Sequence, residues 1–182
     1  MLRADVYPAV TPPRKGDAFV TVQAASAALA PATVVARLIA YIIDLVVLWI
    51  CGVFILGAIV GDSSMVGGVS RAIIYAVFAF LYFGYTWRAW RASPGQRVLG
   101  LMTVNAGDGA ALTWNQATRR WAFLVGPSVL NSLFQFSGVS LIVQLLLIGY
   151  ALYLLYTTAT DPQKQGFHDK QANTLVITKA AI

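Results

Sequence analysis

The chain has 182 residues, of which 58% are hydrophobic and 11% charged, with a formal net charge of +6. A soluble domain carries about 25% charged residues, so this composition excludes an ordinary soluble fold and describes a membrane protein. The basic residues bracket the apolar runs and form no stripe or face, which argues against nucleic acid as a partner.

All seven acids are Asp, and the single cysteine, Cys51, lies inside an apolar run and has no intrachain partner for a disulfide. Met1 to Ala30 carries Pro8, Pro12 and Pro13 and lacks the early apolar core of a signal peptide. It reads as an irregular tail, with the alternating Phe19 to Gln23 as a short strand and Pro31 as a first-turn proline of the helix that follows.

Val34 to Gly61 reads VVARLIAYIIDLVVLWICGVFILGAIVG. It is long enough to cross a bilayer, since roughly 20 apolar residues at about 1.5 Å each span a hydrocarbon core of about 30 Å. Arg37 stands near its start, and Asp44 lies about 15 Å in from Val34, close to mid-membrane. A carboxylate there costs on the order of 2.5 kcal/mol or more, so it needs a reason. Arg37 and Asp44 share one helix face but are about 10.5 Å apart along the axis, too far for easy direct pairing. Arg37 either snorkels to the headgroups or sets the behaviour of Asp44; Asp44 is either a structural contact or a cation- or proton-binding group. Gly57 and Gly61 form a GxxxG pattern that suits helix approach or arises by chance.

A short polar turn leads to a second span from about 71 to 90, rich in aromatics. Its Tyr82, and Tyr150 of the last span, lie at a depth comparable to Asp44 and are its candidate partners. Trp87 and Trp90, interleaved with Arg88 and Arg91, read as an interfacial anchor. The loop 91–118 holds Ser93-Pro94-Gly95-Gln96-Arg97-Val98-Leu99-Gly100 as a turn leading into a strand over Val98 to Val104, then turn chemistry at Asn105 to Gly109, and a return over Ala110 to Leu112. Thr113 caps a helix beginning at Trp114.

The third span is expected over 119–136, although it is broken by Gly126-Pro127 and made polar by Asn131 and Gln135. The fourth runs over 139–159. The rival reading lays Trp121 to Phe136 in the interface and leaves three spans. With four, every Lys and Arg of the 13 except Arg71 falls on one side, which places both termini in the cytoplasm. The tail holds His168 beside Asp169, read as a polar turn or a pH-sensitive latch, and ends in a strand over 174–178 that joins the loop strands in one small sheet. A lone histidine builds no metal site, and no nucleophile–base set is visible, so neither cofactor, metal nor enzymatic activity is expected.

Three segments together resemble the RDD family of bacterial membrane proteins, whose name comes from one arginine and two aspartates. ARLIAYIID is similar to its opening motif and carries the arginine onto Arg37 and the first aspartate onto Asp44. SPGQRVLGLMTV resembles its loop motif, with Ser93, Gly95, Gln96 and Gly100 as structural or gating positions, and QGFHDKQANTLVI resembles its closing motif, carrying the second aspartate onto Asp169 beside His168. Gln171-Ala172-Asn173-Thr174 departs from the Leu-Ala-Gly-Thr-like run common there. The resemblance implies an inner-membrane protein of transporter type, with sodium–proton exchange linked to some members, or an accessory domain of larger membrane machinery. The resulting expectation is an all-α membrane protein: four transmembrane helices in two hairpins, a small cytoplasmic sheet, a tail over 1–33 and a membrane domain over 34–178. Its partners would be the lipid bilayer, a monovalent cation or proton, and a second copy or a larger membrane protein.

Overall fold

The computed structural model describes residues 30–60, 68–134 and 138–179. The strand expected at Phe19 to Gln23 and the second glycine of the GxxxG pattern, Gly61, lie outside the described residues. Helix α1 (Val34–Val60) runs 27 residues. It does not begin at Pro31, which instead bridges to Ile177, while the Thr33 hydroxyl accepts the Ala36 N–H at 3.2 Å and serves the helix start. A stripe at every fourth residue (Ala40, Asp44, Leu48, Gly52) is buried, and Ile39, Ile42, Val46 and Trp49 point outward.

The second long helix is composite. It consists of α2 (Gly68–Phe80), a π-helical turn (Leu81–Tyr85) and α3 (Thr86–Ala89). The Thr86 hydroxyl donates to the Tyr82 carbonyl at 2.5 Å, supplying a bond inside the widened turn. Phe83 and Trp87, four apart, are both buried and join Leu48, Ala79, Leu112, Ala117 and Val125 in the main apolar core. Trp87 is therefore no interfacial anchor, being 1% exposed; Trp90 is 47% exposed and stacks under Arg97.

The stretch expected to turn into a strand folds as a short helix, α4 (Pro94–Val98). Ser93 and Gln96 exchange bonds across its first turn, and Pro94 sits where no N–H is needed. Gly100, at φ +65°, turns the chain into β1 (Leu101–Asn105). Val98 thus belongs to the helix. Ala110 to Leu112 forms no strand, although the Ala110 carbonyl accepts from Asn105. The sheet has two antiparallel strands, β1 with β2 (Thr174–Thr178), pairing Leu101 with Thr178 and Asn105 with Thr174.

Helices α5 (Trp114–Leu124) and α6 (Gly126–Phe134) are separated at Val125, where Pro127 follows within two residues. The segment expected as one span over 119–136 is thus two helices, and α6 alone has nine residues. Helix α7 (Ser140–Thr160) is apolar and largely exposed. Among the described residues, three helices are long and apolar enough to cross a membrane: Val34–Phe54, Ala72–Ala89 and Ser140–Thr160. After α7 comes α8 (Phe167–Ala172), a helix where a polar turn was expected. It ends at Asn173, φ +52°, in the left-handed conformation that Gly adopts freely and Asn tolerates; the Asn-for-Gly departure in the closing motif keeps that geometry.

Candidate functional site

Asp44 faces inward from α1 and is 2% exposed. Its Oδ1 accepts from the Tyr82 hydroxyl at 2.8 Å and the Gly95 N–H at 2.7 Å, and its Oδ2 accepts from the Ser93 hydroxyl at 2.5 Å. The donors come from the π-helical turn and from the start of α4, which lies directly on α1. A Cβ on Gly95 would stand 2.1 Å from the Ala40 carbonyl oxygen, so only glycine fits this approach. Gln96 extends the constellation: its Oε1 accepts from the Ser93 N–H and the Thr103 hydroxyl, both at 2.9 Å, tying α4 to β1. Tyr150 does not reach Asp44; its hydroxyl donates to the Phe123 carbonyl at 2.5 Å.

Arg37 is not part of this arrangement. It lies two turns away on α1 and turns the other way, donating to Asp169 Oδ2 and to the Lys164 carbonyl. Asp169, wholly buried, also takes Arg120 on Oδ1. The Gly166 N–H reaches Oδ2 at 3.1 Å, and Thr174 both donates to Oδ1 at 3.2 Å and accepts from Arg120 at 2.8 Å. One carboxylate thereby joins α1, α5, α8 and β2. The expectation that Arg37 sets or gates Asp44 is corrected: its side chain goes to the nearer opposite charge. Arg120 carried no sequence signal of its own beside Arg119, but helical spacing could have distinguished them. Ala117, Arg120 and Leu124 share a face three and four apart, and Arg119 points away.

His168 is buried against the same cluster, with Nε2 3.5 Å from Asp169 Oδ2. Its pKa is held well below the usual 6.5 by burial and then by the positive charges of Arg120 and Arg37. The neighbouring carboxylate does not offset this, because two guanidinium groups already share it. This direction disfavours a latch titrating near neutrality. Below about pH 6.5 the unfolded chain takes a proton that the folded chain refuses, so stability falls as pH falls, by up to about 1.4 kcal/mol per pH unit from this one group. Thermal unfolding in detergent at pH 7.5 and 5.5 checks this: the loss on acidification is expected to be smaller in His168→Gln than in the unaltered chain.

Asp44, Arg37, Arg120, Trp87 and His168 all border one cavity of about 250 Å³, which is completed by mainly apolar residues of α1, α5, α6 and α7, with Ser93, Gln96 and Thr158 among the polar ones. Among the described residues no group of His, Cys, Asp or Glu is placed to hold a metal ion.

Long apolar helices, one of them carrying the buried, hydrogen-bonded carboxylate of Asp44, define a multi-pass integral membrane protein. The chain matches the RDD family over residues 31–173, and it belongs to that family. Comparison with curated proteins and with solved structures finds no match.

Proposed function

We propose that this RDD-family protein is a small ion transporter of the cation–proton exchange type, in which Asp44 binds the transported proton or monovalent cation. One observation carries the reading: Asp44 is buried at a cavity wall, and the groups it bonds are three neutral donors, while the arginine on its own helix is committed to Asp169. A buried carboxylate met only by neutral groups is expensive, and a proton or a small cation at its remaining lone pair offsets that cost.

The arrangement is one of four spans, with α5–α6 crossing as a broken unit and both termini on the cytoplasmic side, where nearly all the Lys and Arg fall. Four spans enclose little space, so a dimer completes the path, and the membrane is the bacterial inner membrane. The protein has no enzymatic role.

Asp44→Asn tests the assignment. The amide oxygen keeps the Tyr82 and Gly95 donors, and the amide nitrogen donates to the Ser93 hydroxyl, so the fold should survive. In proteoliposomes the variant is expected to lose cation-dependent proton flux by at least about tenfold, at a melting temperature close to that of the unaltered chain. Unchanged flux would remove Asp44 from transport.

A second reading, an accessory subunit of a larger membrane complex, is favoured by α7, on which Leu141, Leu146 and Tyr156 are each about two-thirds exposed along an unpartnered face. Stoichiometric co-purification of another membrane protein, with no flux from the isolated chain, would select it.

A further inference from the structure

The cavity beside Asp44 has a second polar wall that cation exchange does not use. Arg120 lies with its guanidinium carbon 4.8 Å from the centre of the Trp87 ring, and both residues border the cavity. Nη1 of Arg120 is spent on Asp169 and Thr174. Its Nε–H, and the Nε1–H of Trp87, are buried without a hydrogen-bond acceptor. A buried donor left unpaired is costly, and these two lie on contacting residues that border the same cavity.

The charge balance has the same sign. Asp169 is shared by two guanidinium groups, Arg37 and Arg120, so this cluster holds one surplus positive charge, and neutral His168 adds none. Asp44 is already met by three donors and does not compete for these two N–H groups. Away from this wall the lining is mostly apolar, with Leu124 of α5 and Leu147, Ala151, Leu154 and Leu155 of α7, interrupted by Ser128, Tyr150 and Thr158. At about 250 Å³ the cavity is at the small end for a ligand site, which suits one acyl chain better than two.

We propose that the cavity binds a single-chain anionic amphiphile, its compact anionic head accepting from Arg120 Nε–H and Trp87 Nε1–H and its chain lying along Leu124, Leu147 and Leu155. The site shares its cavity with Asp44, so its occupant would lie beside that carboxylate, but the proposal does not rest on ion exchange and stands or falls by its own test.

The purified chain in nanodiscs of zwitterionic lipid is titrated calorimetrically with laurate, with dodecanol and with acetate. Laurate is expected to saturate near one per chain and to bind at least about tenfold tighter than dodecanol, and acetate to give no binding at the same concentrations. Trp87→Phe keeps the ring in the core and deletes one donor; it should weaken laurate about tenfold, the worth of one charge-assisted hydrogen bond, and dodecanol, whose hydroxyl accepts only a neutral bond, by clearly less. Equal binding of laurate and dodecanol overturns the proposal, as does acetate binding as tightly as laurate, or a folded Trp87→Phe that holds laurate undiminished. The comparison of laurate with dodecanol needs no variant, so the proposal stays testable if Trp87→Phe fails to fold.

Discussion

Asp169→Asn is expected to lower stability by about 3–5 kcal/mol, the usual cost of removing one partner from a buried ion pair. Asparagine has nearly the same volume, so the loss is one of charge rather than packing. It leaves the buried Arg120 and the partly buried Arg37 facing each other with no carboxylate between them. The Gly166 N–H and the Thr174 hydroxyl also lose part of their acceptor, and the junction of α1, α5, α8 and β2 loosens at once. For a chain of this length that energy corresponds to a fall in melting temperature of roughly 10 °C or more, read in detergent by heating followed by size-exclusion chromatography. Adding Arg37→Gln to Asp169→Asn should restore part of the loss, because one orphaned charge is gone. A single variant melting within about 2 °C of the unaltered chain would mean that the cluster does not hold these elements together.

Gly95→Ala is the second large effect. The added methyl would meet the Ala40 carbonyl oxygen at 2.1 Å and the Asp44 carboxyl carbon at 2.9 Å. The first is helix backbone and cannot yield, so α4 must lift off α1. Lifting it breaks the bonds from the Gly95 N–H and the Ser93 hydroxyl to Asp44 together. Overpacking of this kind costs about 1–3 kcal/mol, and the lost bonds to a buried carboxylate add a comparable amount. Gly149→Ala is the matched control, since a Cβ there meets nothing within 4 Å. The expected result is a melting temperature several degrees lower for Gly95→Ala and unchanged or slightly higher for Gly149→Ala. Equal melting of the two would show that α4 and α1 are not in such close contact.

Much of the framework was legible because it is written in local runs. The length and hydropathy of Val34 to Val60 and of Ser140 to Thr160 exceed what a bilayer requires, whatever surrounds them. The β-formers of Thr174 to Thr178 and the capping pair Thr113 and Gln116 are likewise short-range features. Ser93 to Gly100 went astray for the same reason in reverse. Its proline and two glycines suggest a turn, but the Ser93–Gln96 capping box and the contact with α1 stabilise one and a half turns of helix. The break in the third segment was legible as well, since Gly126-Pro127 marks it and the two helices part at Val125.

The sequence by itself singled out Arg37 and Asp44, because the cost of burying charge makes such residues stand out in an apolar run, whereas Asp169, in a polar tail, stood out only through the resemblance of its segment to the closing motif. Only the tertiary structure decided who meets whom. Arg37 and Asp44 are neighbours on α1, yet Arg37 bonds to Asp169, 132 positions away in sequence, and Asp44 to Ser93, 49 away. Arg120, indistinguishable from Arg119 by composition, became the second cation on Asp169 through the rotation of α5. Side-chain pairing depends on which helix faces are brought together, and that is set by the packing of Gly95 on Ala40 and of Trp87 beneath Arg120, contacts between segments that share no local pattern.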